Sequence, residues 1–176
     1  GVTWFLPEER DFRYKDQLES DLSVAFGGRV AEEIVFGRIS TGASNDIKQA
    51  TELAQNMVRN WGMSDKLSPM SYGKGEEQVF LGREISQHRD YSEATAQKID
   101  DEINKLINDA YQCATDVLMA NMDVLHKLAE ELIEKETVMG KELDALIHEL
   151  RPGITLPSKA LEEPEPSQPE ATSGQA

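Results

Sequence analysis

The stretch SEATAQKIDDEINKLINDAYQCATDVLMA, residues 92–120, carries the longest regular pattern in the chain. Apolar residues recur in it at intervals of three and four, the repeat of an α-helix with one buried face. They are Ala96, Ile99, Ile103, Leu106, Ile107, Ala110, Ala114, Val117 and Leu118. The pattern predicts a helix capped by Ser92 and ending near Ala120. It also places Cys113 on the apolar side, as an inert core thiol.

The same spacing appears on both sides of this stretch. Upstream, it runs from near Asp16 to Gly37 and is interrupted at Gly27-Gly28, which predicts either one long helix or two abutting ones. Ser44 is the predicted N-cap of a further helix, whose apolar stripe reaches Trp61 and which Gly62 ends. Downstream, two shorter helices are predicted around residues 125–133 and 143–147.

Less regular segments complete the predicted architecture. Residues 2–6, Val-Thr-Trp-Phe-Leu, predict a short strand before Pro7. Residues 63–82 have the composition of a loop. From residue 152 onward the chain holds five of its seven prolines with many Glu, Ser and Gln, which predicts a disordered tail over residues 151–176. The expected fold is therefore mainly α, with a folded part over residues 1–150.

Composition argues against several classes of function. The chain has 176 residues, with 18 Lys and Arg against 33 Asp and Glu, and a net charge of −15. Nucleic acids and anionic membrane surfaces are themselves negative, so we expect no nucleic-acid partner. No run of 18 apolar residues is present to cross a bilayer, and a single cysteine allows no internal disulfide. Because the chain begins with Gly1 and lacks a signal-peptide pattern, we interpret it as part of a longer protein.

The histidines offer little chemistry by themselves. His88, His126 and His148 lie in polar or charged stretches and are predicted to be surface residues. His148-Glu149 begins like a zinc-binding helix, but no second His follows at the fourth position. The sequence also contains neither a G-x-S-x-G nucleophile motif nor a G-x-x-x-x-G-K-[ST] phosphate loop.

Two carboxylate positions are more informative. Asp46 falls in the first turn of the predicted Ser44 helix, where free N–H groups favour an ionised carboxylate suited to a metal ion. An ordinary helix-start Asp is the alternative. Glu32 falls on the same side as small and apolar residues if the helix continues through the two glycines, and an inward carboxylate needs a partner. If the helix breaks there, Glu32 and Glu33 both face water.

Four stretches of sequence, taken together, resemble one family. They are residues 26–34 (FGGRVAEEI), 40–47 (STGASNDI), 61–64 (WGMS) and 79–82 (VFLG). They closely resemble the FtsH family of membrane-anchored AAA+ zinc metalloproteases, over about residues 1–150. The resemblance implies the helical bundle of an FtsH-type peptidase domain, with a short N-terminal strand and incomplete at its N-terminus.

The resemblance also implies roles for the two carboxylates. In the family, zinc is bound by two His of a His-Glu-x-x-His helix and by an Asp at the start of a later helix, which Asp46 matches. Glu32 matches a glutamate that hydrogen-bonds a zinc-binding His. This sequence contains no His-Glu-x-x-His, which the family carries upstream of the stretch beginning here at Gly1. The general-base Glu and two zinc ligands are therefore expected elsewhere, and this chain alone is expected to be inactive.

For the intact protein, the resemblance implies an ATP-dependent zinc metalloendopeptidase that degrades unfolded or membrane proteins in quality control. It implies one Zn²⁺ per subunit, ATP and Mg²⁺ on an AAA+ domain absent from this chain, and a homo-hexamer to which these helices contribute. It implies a membrane anchor in absent N-terminal segments, with the peptidase domain on the cytoplasmic side of a bacterial-type inner membrane or an organelle equivalent. Residues 2–6 would pair with extended substrate or form a structural edge strand. The alternative function is a non-enzymatic acidic helical interaction module.

Overall fold

The computed structural model describes residues 12–72 and 91–154, which contain five α-helices and no strand. The helices are α1 (Lys15–Phe36), α2 (Ser44–Arg59), α3 (Glu93–Ala120), α4 (Met122–Lys135) and α5 (Gly140–Leu150). The chain divides into two compact units, Gly1–Ala120 and Asn121–Ala176. The prediction of a mainly α fold is confirmed. The predicted strand at residues 2–6 and residues 155–176 of the predicted tail lie outside the described residues.

Helix α1 continues without a break through Gly27 and Gly28. Its buried face consists of Leu18, Leu22, Phe26 and Val30. Burying one such side chain contributes about 1.5–3 kcal/mol, which more than offsets the cost of about 0.5–1 kcal/mol for each helical glycine. The helix ends where Gly37 adopts a φ of 65° and donates its N–H to the Glu33 carbonyl at 2.9 Å. Of the two alternatives, the single long helix is therefore the correct one, and its predicted end at Gly37 is confirmed.

The first three helices pack pairwise against one another around a single core. The buried core residues are Leu18, Leu22, Phe26, Val30, Ala50, Ala54, Met57, Val58, Ile99, Ile103, Ala110 and Ala114. The Tyr111 ring of α3 meets the Phe26 ring of α1 edge to face, with centroids 5.5 Å apart. This core fixes the end of α1 and the start of α2, where the two singled-out carboxylates lie.

Two details of α2 differ from the sequence prediction. Ser44 is the first residue of the helix and not its N-cap, because its N–H already bonds to the Thr41 carbonyl at 3.1 Å in a preceding turn. At the other end, α2 stops at Arg59, so Trp61 lies beyond the helix and is 49 % exposed. Gly62 redirects the chain there, with a φ of 62°.

The prediction of a buried thiol is also wrong, because Cys113 is exposed. Helix α3 turns Ala110 and Ala114 toward the core, and one residue along a helix corresponds to a rotation of about 100°. Cys113 immediately precedes Ala114 and is therefore rotated out of the interface. The predicted length of α3 is confirmed, and the Ser92 hydroxyl accepts the Thr95 N–H at 3.2 Å as a cap.

The second unit contains α4 and α5, which confirm the two shorter predicted helices. The Arg151 guanidinium holds both carboxylate oxygens of Asp123, at 2.8 and 2.7 Å. Lys135 lies 3.8 Å from Glu142 near the connection between the helices. Among the described residues of this unit, Leu146 is the buried hydrophobic side chain, while Ile133 is 83 % exposed.

Candidate functional site

Asp46 is the third residue of α2 and lies in its first turn. Its side chain is exposed, and it forms no hydrogen bond or ion pair with any residue that the structure describes. The N–H groups of a first helical turn point toward such a carboxylate, and the positive end of the helix dipole stabilises its charge. Asp46 therefore presents an accessible, uncommitted carboxylate.

Glu32 lies near the end of α1 and is half-buried. Its Oε2 accepts a hydrogen bond of 2.9 Å from the Ser40 hydroxyl, which in turn accepts the Gly42 N–H at 3.1 Å. Its Oε1 is 3.7 Å from the point that a Cβ at Gly42 would occupy. The carboxylate thus lies against the segment that leads into α2. Asp46 and Glu32 belong to the same end of the three-helix unit, and Glu32 is not simply a water-facing residue.

Glu33 has a different role from its neighbour. Its side chain is exposed and accepts a hydrogen bond from the Tyr111 hydroxyl of α3. This bond, together with burial, raises the pKa of Tyr111 above its usual value. Glu33 therefore links α1 to α3, while Glu32 faces the α1–α2 connection.

A catalytic zinc ion takes three protein ligands and leaves one position for water or substrate. Within residues 12–72 and 91–154, no three His, Cys, Asp or Glu side chains are grouped so that they could hold a metal ion. Asp46 fits one ligand position, because its carboxylate is accessible and has no partner in the part of the chain that the structure describes. Glu32 fits a carboxylate that orients an imidazole. The described residues therefore contain no complete zinc site, and these two carboxylates are the ones whose chemistry is compatible with part of one.

The histidines do not complete the site. His126 is exposed, as predicted, and His88 lies outside the described residues. His148 is half-buried, and its Nε2 is buried without a hydrogen-bond partner in the described structure. The prediction of a surface position is therefore wrong for His148, because one side of α5 lies against the second unit's small core around Leu146.

The most buried charged residue of the described structure is one that sequence reasoning missed. Glu102 of α3 is 4 % exposed, accepts a 2.8 Å hydrogen bond from the Ser64 hydroxyl and lies 3.1 Å from the Lys66 ammonium. Burial alone would raise the pKa of Glu102, but the contacts with Ser64 and Lys66 outweigh it and hold the pKa below its ordinary value. A signal was available, since Glu102 follows Ile99 by three residues and so occupies a position of the apolar stripe.

A neighbouring ion pair strengthens the same loop. Lys15 at the start of α1 binds Asp65 at 2.6 Å, so three consecutive loop residues, Ser64 to Lys66, contact α1 and α3. We call these contacts, with Glu102 and Lys15, the Glu102 clasp. In the Glu102 clasp each carboxylate lies beside a lysine ammonium group. Glu32 and Asp46, in contrast, have no cation beside them among the described residues.

The described residues include no helix that is both long and apolar enough to cross a membrane.

Residues 1–146 match the model of peptidase family M41. The chain is 47 % identical to ATP-dependent zinc metalloprotease FtsH 1 of Thermomicrobium roseum over 181 residues, covering 98 % of this chain and 28 % of that protein. It is 52 % identical to ATP-dependent zinc metalloprotease FtsH 1 of Sphaerobacter thermophilus over 153 residues, covering 86 % and 23 %.

A third relative gives the same relation of lengths. ATP-dependent zinc metalloprotease FtsH of Chloroflexus aggregans is 43 % identical over 183 residues, covering 97 % of this chain and 28 % of that protein. The chain thus spans about a quarter of the length of these relatives. The family model matches most of the chain, including Glu32 and Asp46, and the resemblance seen in the sequence motifs is confirmed. The chain belongs to peptidase family M41 and is similar to FtsH-type ATP-dependent zinc metalloproteases.

Proposed function

We propose that the chain forms part of a zinc metalloendopeptidase in which Asp46 is one of the zinc ligands. The observation that carries this proposal is the accessible carboxylate of Asp46 in the first turn of α2, which has no partner among the described residues, within a chain of family M41. The identity of the metal is inferred from the relatives, since each is called a zinc metalloprotease. The chain's sequence has no His-Glu-x-x-His, so the other ligands and the general base would come from elsewhere in the protein.

Each residue then has a defined part in peptide hydrolysis. Zinc, when bound, supplies a hydroxide at neutral pH and polarises the scissile carbonyl. Asp46 would supply one carboxylate oxygen to the metal from the first turn of α2. Glu32 accepts the N–H of a zinc-bound imidazole, which fixes the tautomer of the ring and its orientation. The core of α1, α2 and α3 keeps these two carboxylates at one end of the unit.

The wider assembly is also a proposal. We infer from the relatives' names that the intact protein couples ATP hydrolysis to proteolysis, with ATP and Mg²⁺ bound outside this chain. A homo-hexamer, unfolded or membrane-protein substrates and a membrane anchor in other segments complete the proposed function. The first and second units would contribute helical surfaces to that assembly.

Substitution of Asp46 by Asn in the intact protein tests the zinc assignment. The change keeps the shape of the side chain but removes its charge, so zinc content and casein cleavage should fall by at least about 10-fold. ATP hydrolysis should stay near the wild-type rate, because its site lies outside this chain. The measurements are zinc per protomer by atomic emission, casein cleavage and phosphate release.

Asp16→Asn is the matched control, since Asp16 is an exposed acidic residue in the first turn of α1. It should leave zinc content and casein cleavage unchanged. Wild-type zinc content in Asp46→Asn would refute the assignment. The 176-residue chain alone should show no chelator-sensitive cleavage of casein, and such cleavage would contradict the proposal that the remaining ligands lie elsewhere.

A further inference from the structure

Ser40 connects the end of α1 to the entry of α2 through its hydroxyl group. The hydroxyl donates its single proton to Oε2 of Glu32 at 2.9 Å and accepts the Gly42 N–H at 3.1 Å. Because a serine hydroxyl has one proton, accepting from Gly42 leaves that proton for Glu32. Ser40 therefore sets the orientation of a carboxylate that otherwise has several rotamers available.

The two oxygens of Glu32 are consequently different. Oε2 is engaged by Ser40, whereas Oε1 faces Gly42 and receives no hydrogen bond from the residues that the structure describes. A Cβ at Gly42 would come within 3.1 Å of the Ser40 Oγ, so the absence of a side chain there gives the hydroxyl its place. Serine and glycine together leave Oε1 as the free acceptor.

We propose that Ser40 is a positioning residue, which holds Glu32 so that Oε1 can accept the N–H of a zinc-bound imidazole. This inference rests on the proposed function. Ligands of a metal commonly depend on such outer hydrogen bonds for their orientation and basicity, and loss of one costs about 10–100-fold in metal affinity. Ser40 acts through Glu32 and touches neither the metal nor the substrate.

A different result is expected if the Ser40 hydroxyl serves only the stability of the fold. The Ser40–Glu32 hydrogen bond lies at the surface, where water replaces a lost partner at little cost in folding free energy. A structural hydroxyl would thus change neither zinc affinity nor its dependence on Glu32. Zinc affinity is therefore the quantity that separates the two roles.

The experiment compares Ser40→Ala and Ser40→Thr in the intact protein, by competition for zinc with a chelator of known affinity. Ser40→Ala should weaken zinc binding by roughly 3–10-fold, less than loss of a direct outer partner of the ligand. Ser40→Thr retains the hydroxyl and should stay within about 2-fold of wild type. Ser23→Ala is the control, because within residues 12–72 and 91–154 its hydroxyl bonds only to the Glu19 carbonyl on the same helix α1.

Two further variants make the outcome decisive. In a Glu32→Gln background, Ser40→Ala should add less than about 2-fold, because coupled residues are not additive. An undiminished effect there, a wild-type affinity in Ser40→Ala, or no recovery in Ser40→Thr would each overturn the inference. Asp46→Asn distinguishes a failure of the proposed zinc site from a failure of the role of Ser40. Normal zinc affinity in Asp46→Asn refutes the proposed site, whereas lost affinity there with normal affinity in Ser40→Ala refutes the role of Ser40 alone.

Discussion

Two Ser–Glu hydrogen bonds in the structure lie in different settings. Ser64 donates to Glu102 at 2.8 Å in the Glu102 clasp, and Ser40 donates to Glu32 at 2.9 Å between α1 and α2. In both cases a loop serine binds a helical glutamate. The difference lies in burial and in charge, because Glu102 is 4 % exposed with Lys66 at 3.1 Å, whereas Glu32 is half-buried with no cation nearby in the described chain.

This difference distinguishes a carboxylate whose partners the fold must supply from one that is still partly open to solvent. A buried carboxylate must be fully partnered, and the clasp provides both a hydrogen bond and an ion pair. A half-exposed carboxylate with one free oxygen has acceptor capacity that folding does not require. We infer from the contrast that Glu102 contributes to stability, and that Glu32 and the neighbouring Asp46 are available for chemistry.

The largest expected effect comes from replacing Glu102 by Ala. The loss of a charged hydrogen bond and the resulting cavity should lower the free energy of unfolding by about 2–3 kcal/mol. The cost stays below that of a stranded buried ion, because the Lys66 side chain is 67 % exposed and can turn to water. Glu32→Ala should change the same free energy by less than about 0.5 kcal/mol.

Urea unfolding of the 176-residue chain, followed by circular dichroism, measures both values. The matched control is Glu102→Gln, which keeps the shape of the side chain and can still accept from Ser64, so its loss should be smaller than that of the alanine variant. The comparison fails if Glu32→Ala destabilises the chain as much as Glu102→Ala does.

A pair of glycines gives the next largest effect. Gly62 has a φ of 62°, and a Cβ there would lie 3.2 Å from the Pro69 Cα. Gly62→Ala should cost about 1–3 kcal/mol of stability, from the strained backbone and the close contact. Gly28 lies within α1, and no atom of the described residues lies within 4 Å of an added Cβ, so Gly28→Ala should stabilise the chain by about 0.5–1 kcal/mol.

Thermal unfolding of the two variants tests this contrast between the loop after α2 and the open face of α1. Gly62→Asn separates its two causes, because Asn tolerates a positive φ but still carries a Cβ. A Gly62→Asn variant as unstable as Gly62→Ala assigns the cost to Pro69. Wild-type stability in Gly62→Ala would show that the loop after α2 adjusts freely. That result would contradict the expectation that the Glu102 clasp holds this loop in place.

Much of the helical framework could be predicted because its signals are local. The three- and four-residue spacing identified all five helices, and the bulky core side chains carried α1 through Gly27 and Gly28. The errors in the bounds of the helices fall at the two ends of α2. Ser44 and Trp61 were misplaced because a turn at Thr41 and the left-handed Gly62 shift the ends of α2, and these conformations depend on contacts rather than on spacing.

The site was predictable in part for the same reason. The first-turn position of Asp46 follows from helix phase, and family resemblance supplied its proposed role. The partners of Glu32 and Glu102 were not predictable, because Ser40 and Ser64 come from loops 8 and 38 residues away along the chain. Glu102 could have been suspected as a charge within an apolar stripe, but only the folded chain shows that Ser64 and Lys66 neutralise the cost of burying it.

The smallest expected effect is a difference in acid sensitivity. Because the pKa of Glu102 is lower in the folded chain than its ordinary value of 4.5, the folded state keeps this carboxylate ionised where the unfolded chain already binds a proton. Its stabilisation is therefore complete above about pH 5 and is lost as the pH falls through the native pKa. Lys66 and Lys105 both favour the ionised form, and Asp65, Asp123 and Glu131 also have lowered pKa values, so wild-type acid unfolding has several contributors.

The contribution of Glu102 is isolated by measuring urea unfolding of wild type and Glu102→Gln between pH 3 and 7. The gap in stability between them should be constant above about pH 5 and shrink toward lower pH, because the wild type loses an ionised group that the variant never had. A gap that stays constant to pH 3 would mean that the charge of Glu102 does not stabilise the clasp, and the distinction between the two glutamates would then rest on burial alone.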